Sequence, residues 1–391
     1  MNNNIIEIFK TITAIPRCSG THEPFINYMQ NLSKELGYLC LTDEFNNILC
    51  KKENSSAKLA FQSHYDIVCL SDNCVPQIVQ DGDLLKALDS TLGSDNGMGC
   101  AYMIALMTEG YDGEFLFTSD EEIGLIGANN LALPLNASYM LNLDSEEEGE
   151  ICIGCAGGVD IFGTNYNKKI VPNTDNLDLY EISIGKLQGG HSGVDIDKNI
   201  PNGIKLIAKT IKECNGKLLD INGGERINSI PVSVKAIIAS STHPISSHEN
   251  MIINKIDTKS EHLNIYDDKI IDFIYDFQNG VRAMNEELNV VQTSINLAII
   301  KTGIDGITIE LSGRSMDNND LKNLKNETIE MLKNYNFEVT TNGKYPAWKP
   351  DINEFTSKVL EIYKEFTANA SLEAIHAGLE CAIFKDKYPH I

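Results

Sequence analysis

The run Leu116-Phe-Thr-Ser-Asp-Glu-Glu-Ile-Gly124 sets three adjacent carboxylates directly after an apolar segment. Phe115 and Phe117 alternate with smaller neighbours as in a buried strand, so Asp120, Glu121 and Glu122 are expected where that strand emerges at its C-terminal edge. Open α/β sheets carry their sites at that edge. Like charges this close raise one another's pKa unless a cation neutralises them, and adjacent side chains can face different partners. One acid could bind a metal while its neighbour moves protons; the alternative is a solvated acidic turn.

The same pattern recurs along the chain. Leu59 to Phe61 reads as a short strand leading into His64-Tyr-Asp66, and a spacing of two on extended chain puts both side chains on one face. A neutral imidazole there could bind a metal while the carboxylate orients nearby groups, although H-x-D alone is a weak signal. The turn Thr91-Leu-Gly-Ser-Asp95-Asn-Gly97-Met-Gly99 opens a helix with Met98, Ala101, Tyr102 and Ala105 on its apolar face. Asp95 at its entrance is an N-cap or a ligand. No G-x-G-x-x-G run is present, which argues against a dinucleotide site. Tyr139 to Leu143 reads as another strand and ends in Asp144, before the acids Glu146, Glu147 and Glu148 of a loop. His64, Asp95, Glu122 and Asp144 thus all fall at strand or helix ends, and one shared site is the economical reading.

At 391 residues the chain is long enough for two domains, and 42% hydrophobic with 22% charged residues excludes a disordered chain. The formal net charge of -23 excludes nucleic acid as a partner, and bound divalent cations would reduce it. No apolar run approaches the roughly 18 residues needed to span a bilayer. Met1 to Ile6 is polar rather than a secretory signal, so no membrane partner and a cytoplasmic location are expected. The ten cysteines lack a disulfide-scaffold spacing; Cys69, Cys100 and Cys214 sit in apolar stretches and read as free thiols of a reducing compartment. Cys152 and Cys155 form a lone C-x-x-C, read as structural, with a redox pair or half a zinc site as alternatives.

A first helix carries Phe25, Met29, Leu32 and Leu36 and ends at Gly37. From about Asp178 the texture becomes a separate pattern. A strand is expected over Leu179 to Ile184, then a helix with Ile204, Ile207, Ala208 and Ile211. Further helices carry Ile270, Ile271, Ile274 and Phe277, and Leu321, Leu324, Met331 and Leu332, with strands at Thr293 to Ile300 and Ile307 to Leu311. This reads as a second domain inserted into the first. Within it, His191 lies in the turn Gly189-Gly-His-Ser-Gly193, whose glycines suit close approach to a ligand; a surface-turn histidine is the alternative. Arg314, after an apolar strand, could pair a substrate carboxylate or sit at the surface. Asp351 and Glu354 read as a capping pair before Phe355, Val359 and Tyr363, and Ile375-His376-Ala-Gly-Leu-Glu380-Cys381 follows.

Taken in order, these stretches resemble the aminoacyl-histidine dipeptidases (Xaa-His dipeptidases, peptidase D), within the larger family of co-catalytic zinc aminoacylases and carboxypeptidases. The resemblance runs through Ser63-His-Tyr-Asp66, Leu92 to Gly97, Asp120 to Gly124, Leu143 to Ile151, Gly154 to Gly158, Gly189 to Gly193, Tyr345-Pro-Ala-Trp348 and Ile375 to Cys381. It implies an α/β fold, with a zinc-peptidase-like catalytic domain of mixed sheet flanked by helices over residues 1–176 and 346–391. An inserted α+β lid or dimerisation domain would occupy 177–345. It further implies hydrolysis of dipeptides, preferentially Xaa-His, by a metal-bound hydroxide. Two divalent ions are implied, zinc with manganese or cobalt as alternatives: His64 and Asp144 would bind one, Glu122 the other, and Asp95 would bridge them. Glu121 would be the general base, Asp66 would orient His64, and His191 would stabilise the oxyanion, with a homodimer as one way to supply it. Arg314, His376 and Glu380 are carried over to the substrate side, without a derived role for the last two. The departure is at the C-terminus: the resemblance implies a further strand, a metal-binding histidine and a last helix after Tyr388-Pro389, which this sequence lacks, and His390 does not replace that histidine. A weakened second metal site and an exposed sheet edge are the expected consequences. The alternatives are a truncated or catalytically silent metal- or peptide-binding relative, or a related aminoacylase or tripeptidase.

Overall fold

The computed structural model describes residues 2–70, 75–145, 147–172, 177–257 and 262–391. Glu146 of the acidic run and the expected domain boundary at residue 176 lie outside the described residues. The chain forms two compact units: Met1–Cys152 with Ile352–Leu372 and Leu379–Ile391, and Ile153–Asp351 with Glu373–Gly378.

In the first unit a five-stranded sheet runs in the order Leu39–Thr42, Ile48–Lys51, Glu114–Thr118, Leu59–His64, Tyr139–Asn142. The first three strands are antiparallel neighbours, whereas Leu59–His64 runs parallel to both Glu114–Thr118 and Tyr139–Asn142. The sheet is therefore mixed, as expected. Its register sets His64 beside Thr118 and Gln62 beside Asn142, so the segments that follow these strands all leave from one edge.

The alternation around Phe115 sorts side chains between two covered faces. Phe115 and Phe117 pack with Phe9, Phe25, Phe61 and the helix Ser94–Thr108, while Leu116 packs with Leu49, Leu125, Ile383 and Phe384. Burial of each such side chain contributes roughly 1.5–3 kcal/mol relative to exposure. The helix Glu23–Leu36 buries Phe25 and Met29 and closes at Gly37, whose φ of 76° is the left-handed conformation that favours glycine. The terminal helix Glu380–Lys387 buries Ile383 and Phe384, and the Tyr388 hydroxyl donates to the Leu133 carbonyl at 2.8 Å.

Three local expectations are corrected. Tyr102, placed on the buried face of its helix, is 49% exposed, because Met103 and Ile104 take the inward positions. The helix Glu354–Tyr363 is capped by Asn353 and Thr356 in a reciprocal box rather than by Asp351 and Glu354. Cys69 is disulfide-bonded to Cys18, with Cα atoms 5.7 Å apart, whereas Cys100 and Cys214 are buried free thiols. The apolar run around Cys69 misleads because it is surface loop: Val68 is 43% and Leu70 70% exposed.

The second unit is built on a nine-stranded antiparallel sheet. Its centre pairs Lys217–Gly223, Val290–Thr302, Ile307–Ser315 and Gly157–Asn165 in that order. The helices Gly203–Glu213, Asp268–Asp276 and Asn318–Asn334 share one core with it, through Ile207, Ile211, Ile270, Ile274 and Leu324 against Ile182, Ile238, Leu297 and Ile309. Among the described residues, no helix is long and apolar enough to cross a membrane.

Candidate metal centre

Strand ends of the first unit deliver the site. His64, the last residue of its strand, is buried, with Nε2 2.9 Å from Asp95 Oδ1 and 3.7 Å from Asp144 Oδ1. Its Nδ1 lies 3.1 Å from the Asp66 carbonyl and 3.5 Å from Asp66 Oδ1, which fixes the ring. The buried Asp66 carboxylate in turn accepts from Ser19 Oγ at 2.8 Å and from the amides of Glu121 and Glu122 at 3.0 and 3.3 Å. One carboxylate thus ties the histidine to the acidic turn.

Asp95 has helix-incompatible angles (φ -81°, ψ 112°) inside the segment assigned to its helix, and that helix start has no side-chain cap. Its side chain goes to His64 instead. Gly93, just before, has φ 71°, and the Asp95–Asn96 peptide is cis. The Asp144 amide donates to Asn142 Oδ1 at 3.0 Å.

The three adjacent acids separate. Asp120 has φ 51° and turns away, with Oδ1 accepting from the Gly20 amide at 2.7 Å and Oδ2 3.1 Å from His22 Nε2. Glu121 and Glu122 face the cradle. Two three-donor sets arise, His64 with Asp95 and Asp144, and His64 with Glu121 and Glu122, each with its atoms within 4.8 Å of one another. Among the described residues no three-donor set combines Asp95 with Glu122.

Electrostatics follow from this crowding. Burial disfavours a charged His64, but hydrogen bonds to Asp144, Asp66 and Asp95 outweigh it and raise its pKa far above the usual value. Burial pushes Glu121 up to about 8, assisted by Glu380, Asp144 and Glu122 against the opposing pull of His64. Glu122 rises to about 7, through burial and then Asp95. Asp95 is lowered, first by its hydrogen bond with His64. Glu380, fully buried, is pushed up to about 7 by burial; its Oε2 accepts from Gln62 Nε2 at 2.5 Å and Thr118 Oγ1 at 2.9 Å.

In the second unit His191, Arg314 and His376 are described by themselves. His191 Nδ1 accepts from the Gly193 and Val194 amides, both at 3.3 Å, so the ring proton sits on Nε2. Burial, then Arg314, lowers its pKa and keeps it neutral. Arg314 Nη1 donates to the Tyr345 hydroxyl at 2.9 Å, and His376 Nε2 lies 2.7 Å from Ser294 Oγ. Among the described residues, Arg314 Nε and Ser192 Oγ are buried without a hydrogen-bond partner. The motif Ile375 to Cys381 therefore divides, His376 grouping with the second unit and Glu380 with the first.

No family model matches the chain. Over 98% of its length it is 29% identical to the cytosol non-specific dipeptidase of Escherichia coli (strain K12), covering 89% of that protein. The crystal structure of aminoacylhistidine dipeptidase from Vibrio alginolyticus matches with a TM-score of 0.82 at 27% identity, over 99% of this chain and 88% of the other. The chain is similar to both dipeptidases over nearly its whole length. A tripeptidase from Staphylococcus aureus shares the fold, with a TM-score of 0.58 at 16% identity over 99% of this chain and 88% of the other. The peptidase resemblance and the α/β class read from the sequence are borne out.

The donor chemistry of this site fits a divalent ion: one buried imidazole and two carboxylates converge on one point, and a cation would offset the burial and the neighbouring charges that raise Glu121 and Glu122. The sequence reading missed the residues that hold this cradle, namely Arg17, Ser19, His22, Gln62 and Asn142. Only Gln62 carried a signal, as a polar residue inside the apolar strand Leu59–His64.

Proposed function

We propose that this chain is a metal-dependent dipeptidase, acting preferentially on Xaa-His peptides. The observation that carries the proposal is the convergence of His64, Asp95 and Asp144 with the carboxyl of Glu121 beside them. Bound divalent ions would supply Lewis acidity, polarising the scissile carbonyl and making water acidic enough to react at neutral pH. His64, Asp95 and Asp144 would hold the first ion, and Glu122 would contribute to a second. Zinc, manganese or cobalt fits the first set; the carboxylate-rich second set suits harder ions and binds more weakly.

The chain's own residues do the rest. Glu121, ionised once a bound cation offsets the burial that raises its pKa, accepts the proton of the attacking water and passes it to the departing amine. Asp66 keeps the imidazole of His64 aimed and holds the acidic turn by accepting hydrogen bonds from the Glu121 and Glu122 amides. His191, neutral with its proton on Nε2, is suited to donate a hydrogen bond to an oxyanion. Arg314, whose buried Nε has no partner among the described residues, would pair the substrate's C-terminal carboxylate, with His376 on the same side. Glu380 acts from beneath through Gln62 and Thr118. The inserted residues 177–345 serve as lid and dimerisation domain, and the location is cytoplasmic.

Glu121→Ala tests the base. The variant should bind metal yet lose about 100-fold to 10,000-fold in kcat on Xaa-His dipeptides. Wild-type turnover in the variant would remove Glu121 from the mechanism, and a folded, metal-loaded wild type without turnover would favour a silent metal-binding relative.

A further inference from the structure

Arg17 is the largest fully buried side chain of the molecule among the described residues. A guanidinium out of water is costly unless its donors are satisfied. Among the described residues it has no carboxylate at ion-pair distance; Nη1 donates to the Tyr65 carbonyl at 2.9 Å and Nη2 to the Gly93 carbonyl at 2.7 Å. Tyr65 stands between His64 and Asp66, and Gly93 lies two residues before Asp95. The two halves of the first donor set are therefore gripped by one side chain.

The grip is rigid on both sides. The Arg17 carbonyl accepts from the Ile67 amide at 3.1 Å, the Ser19 amide donates to the Ile67 carbonyl at 3.3 Å, and Ser19 Oγ holds Asp66. A Cβ at Gly93 would stand 2.8 Å from Arg17 Nη2, and one at Gly97 would collide with the same nitrogen, so glycines make the room. Burial opposes the Arg17 charge, while Asp66 and Asp95 are among the groups that sustain it, so it offsets part of the carboxylate charge at the site.

We infer that Arg17 is a positioning residue of the metal centre, clamping the Tyr65 and Gly93 carbonyls so that His64 and Asp95 stand at the separation a first metal ion requires. The inference rests on the metal reading proposed above. Its test is the affinity of the full chain for Mn2+ and Zn2+, measured by chelator competition in wild type, Arg17→Met and Arg17→Lys, with circular dichroism to score folding and kcat and KM at saturating metal.

Removal of an outer partner of a metal ligand typically weakens binding about 10-fold to 100-fold. Arg17→Met should show that loss with an unchanged KM, and Arg17→Lys, which keeps the charge but not the two-pronged reach, should recover only part. If Arg17→Met does not fold, Gly97→Ala displaces the guanidinium without removing it and should weaken metal binding in the same way. A folded Arg17→Met, or in its place Gly97→Ala, with wild-type metal affinity and only a lower unfolding midpoint overturns the inference. A folded wild type that binds neither ion overturns the metal reading itself.

Discussion

Adjacent residues in the acidic turn reach different partners because one of them, Asp120, takes a left-handed backbone conformation and is pinned by Gly20 and His22. That leaves Glu121 and Glu122 toward the cradle, where burial raises their carboxyls to about 8 and about 7. Glu380 permits a separate test through stability. Its carboxyl is raised from 4.5 to about 7, so the native state holds the proton more tightly than the unfolded chain. Its contribution is fully present below pH 4.5 and is lost as pH rises toward 7, on the order of 3 kcal/mol. Metal-free protein should therefore show a falling urea midpoint between pH 4.5 and 7, and Glu380→Gln should flatten that fall; an equal slope in both proteins would contradict the assignment. At this scale the sequence was legible where spacing alone decides geometry. His64 and Asp66 share a face because extended chain repeats every two residues, and the structure brings His64, Asp66, Asp95, Glu121, Glu122 and Asp144 together. Arg17 and Asn142 were not legible, because their partners lie 48 to 80 residues away and depend on sheet register.

Elements carry the site through their ends. The strand Leu59–His64 runs parallel to both neighbours, and that topology sends three following segments out at one edge. Strand and helix positions read from periodicity agree with the structure where one face is buried, as in Gly203–Glu213. They slip where burial surrounds the element, as in Ser94–Thr108, whose inward face cannot be chosen from apolar spacing. The Cys18–Cys69 bond closes a 51-residue separation and tethers the segment of Ser19 to that of Asp66. Its reduction should lower stability, by about 4 kcal/mol on chain-entropy grounds, and the Cys18→Ser variant should respond no further to reductant. Unchanged unfolding midpoints with and without reductant would contradict a stabilising bond. A reducing cytosol favours the dithiol, so the proposed location and this pairing make opposite demands, and thiol labelling in intact cells decides between them.

The whole molecule couples a strongly acidic chain, net charge -23, to a centre in which carboxylates outnumber buried cations. A divalent ion that binds only the folded state stabilises it by mass action, about 2.7 kcal/mol at a hundredfold excess over Kd. Chelation should accordingly lower the unfolding temperature, most of all above neutral pH where more carboxyls must ionise; a temperature indifferent to chelator and metal would argue against a built site. A two-unit chain, one unit with the candidate metal centre and one antiparallel, is what chain length and the change of texture near Asp178 suggest, while the seams depend on contacts that periodicity does not report. The most direct measurement is hydrolysis of Xaa-His dipeptides by protein stripped of metal and titrated with zinc or manganese. Turnover absent in the stripped protein and restored by metal is the expected result. Turnover without metal, or none at any metal concentration in folded protein, would contradict the account.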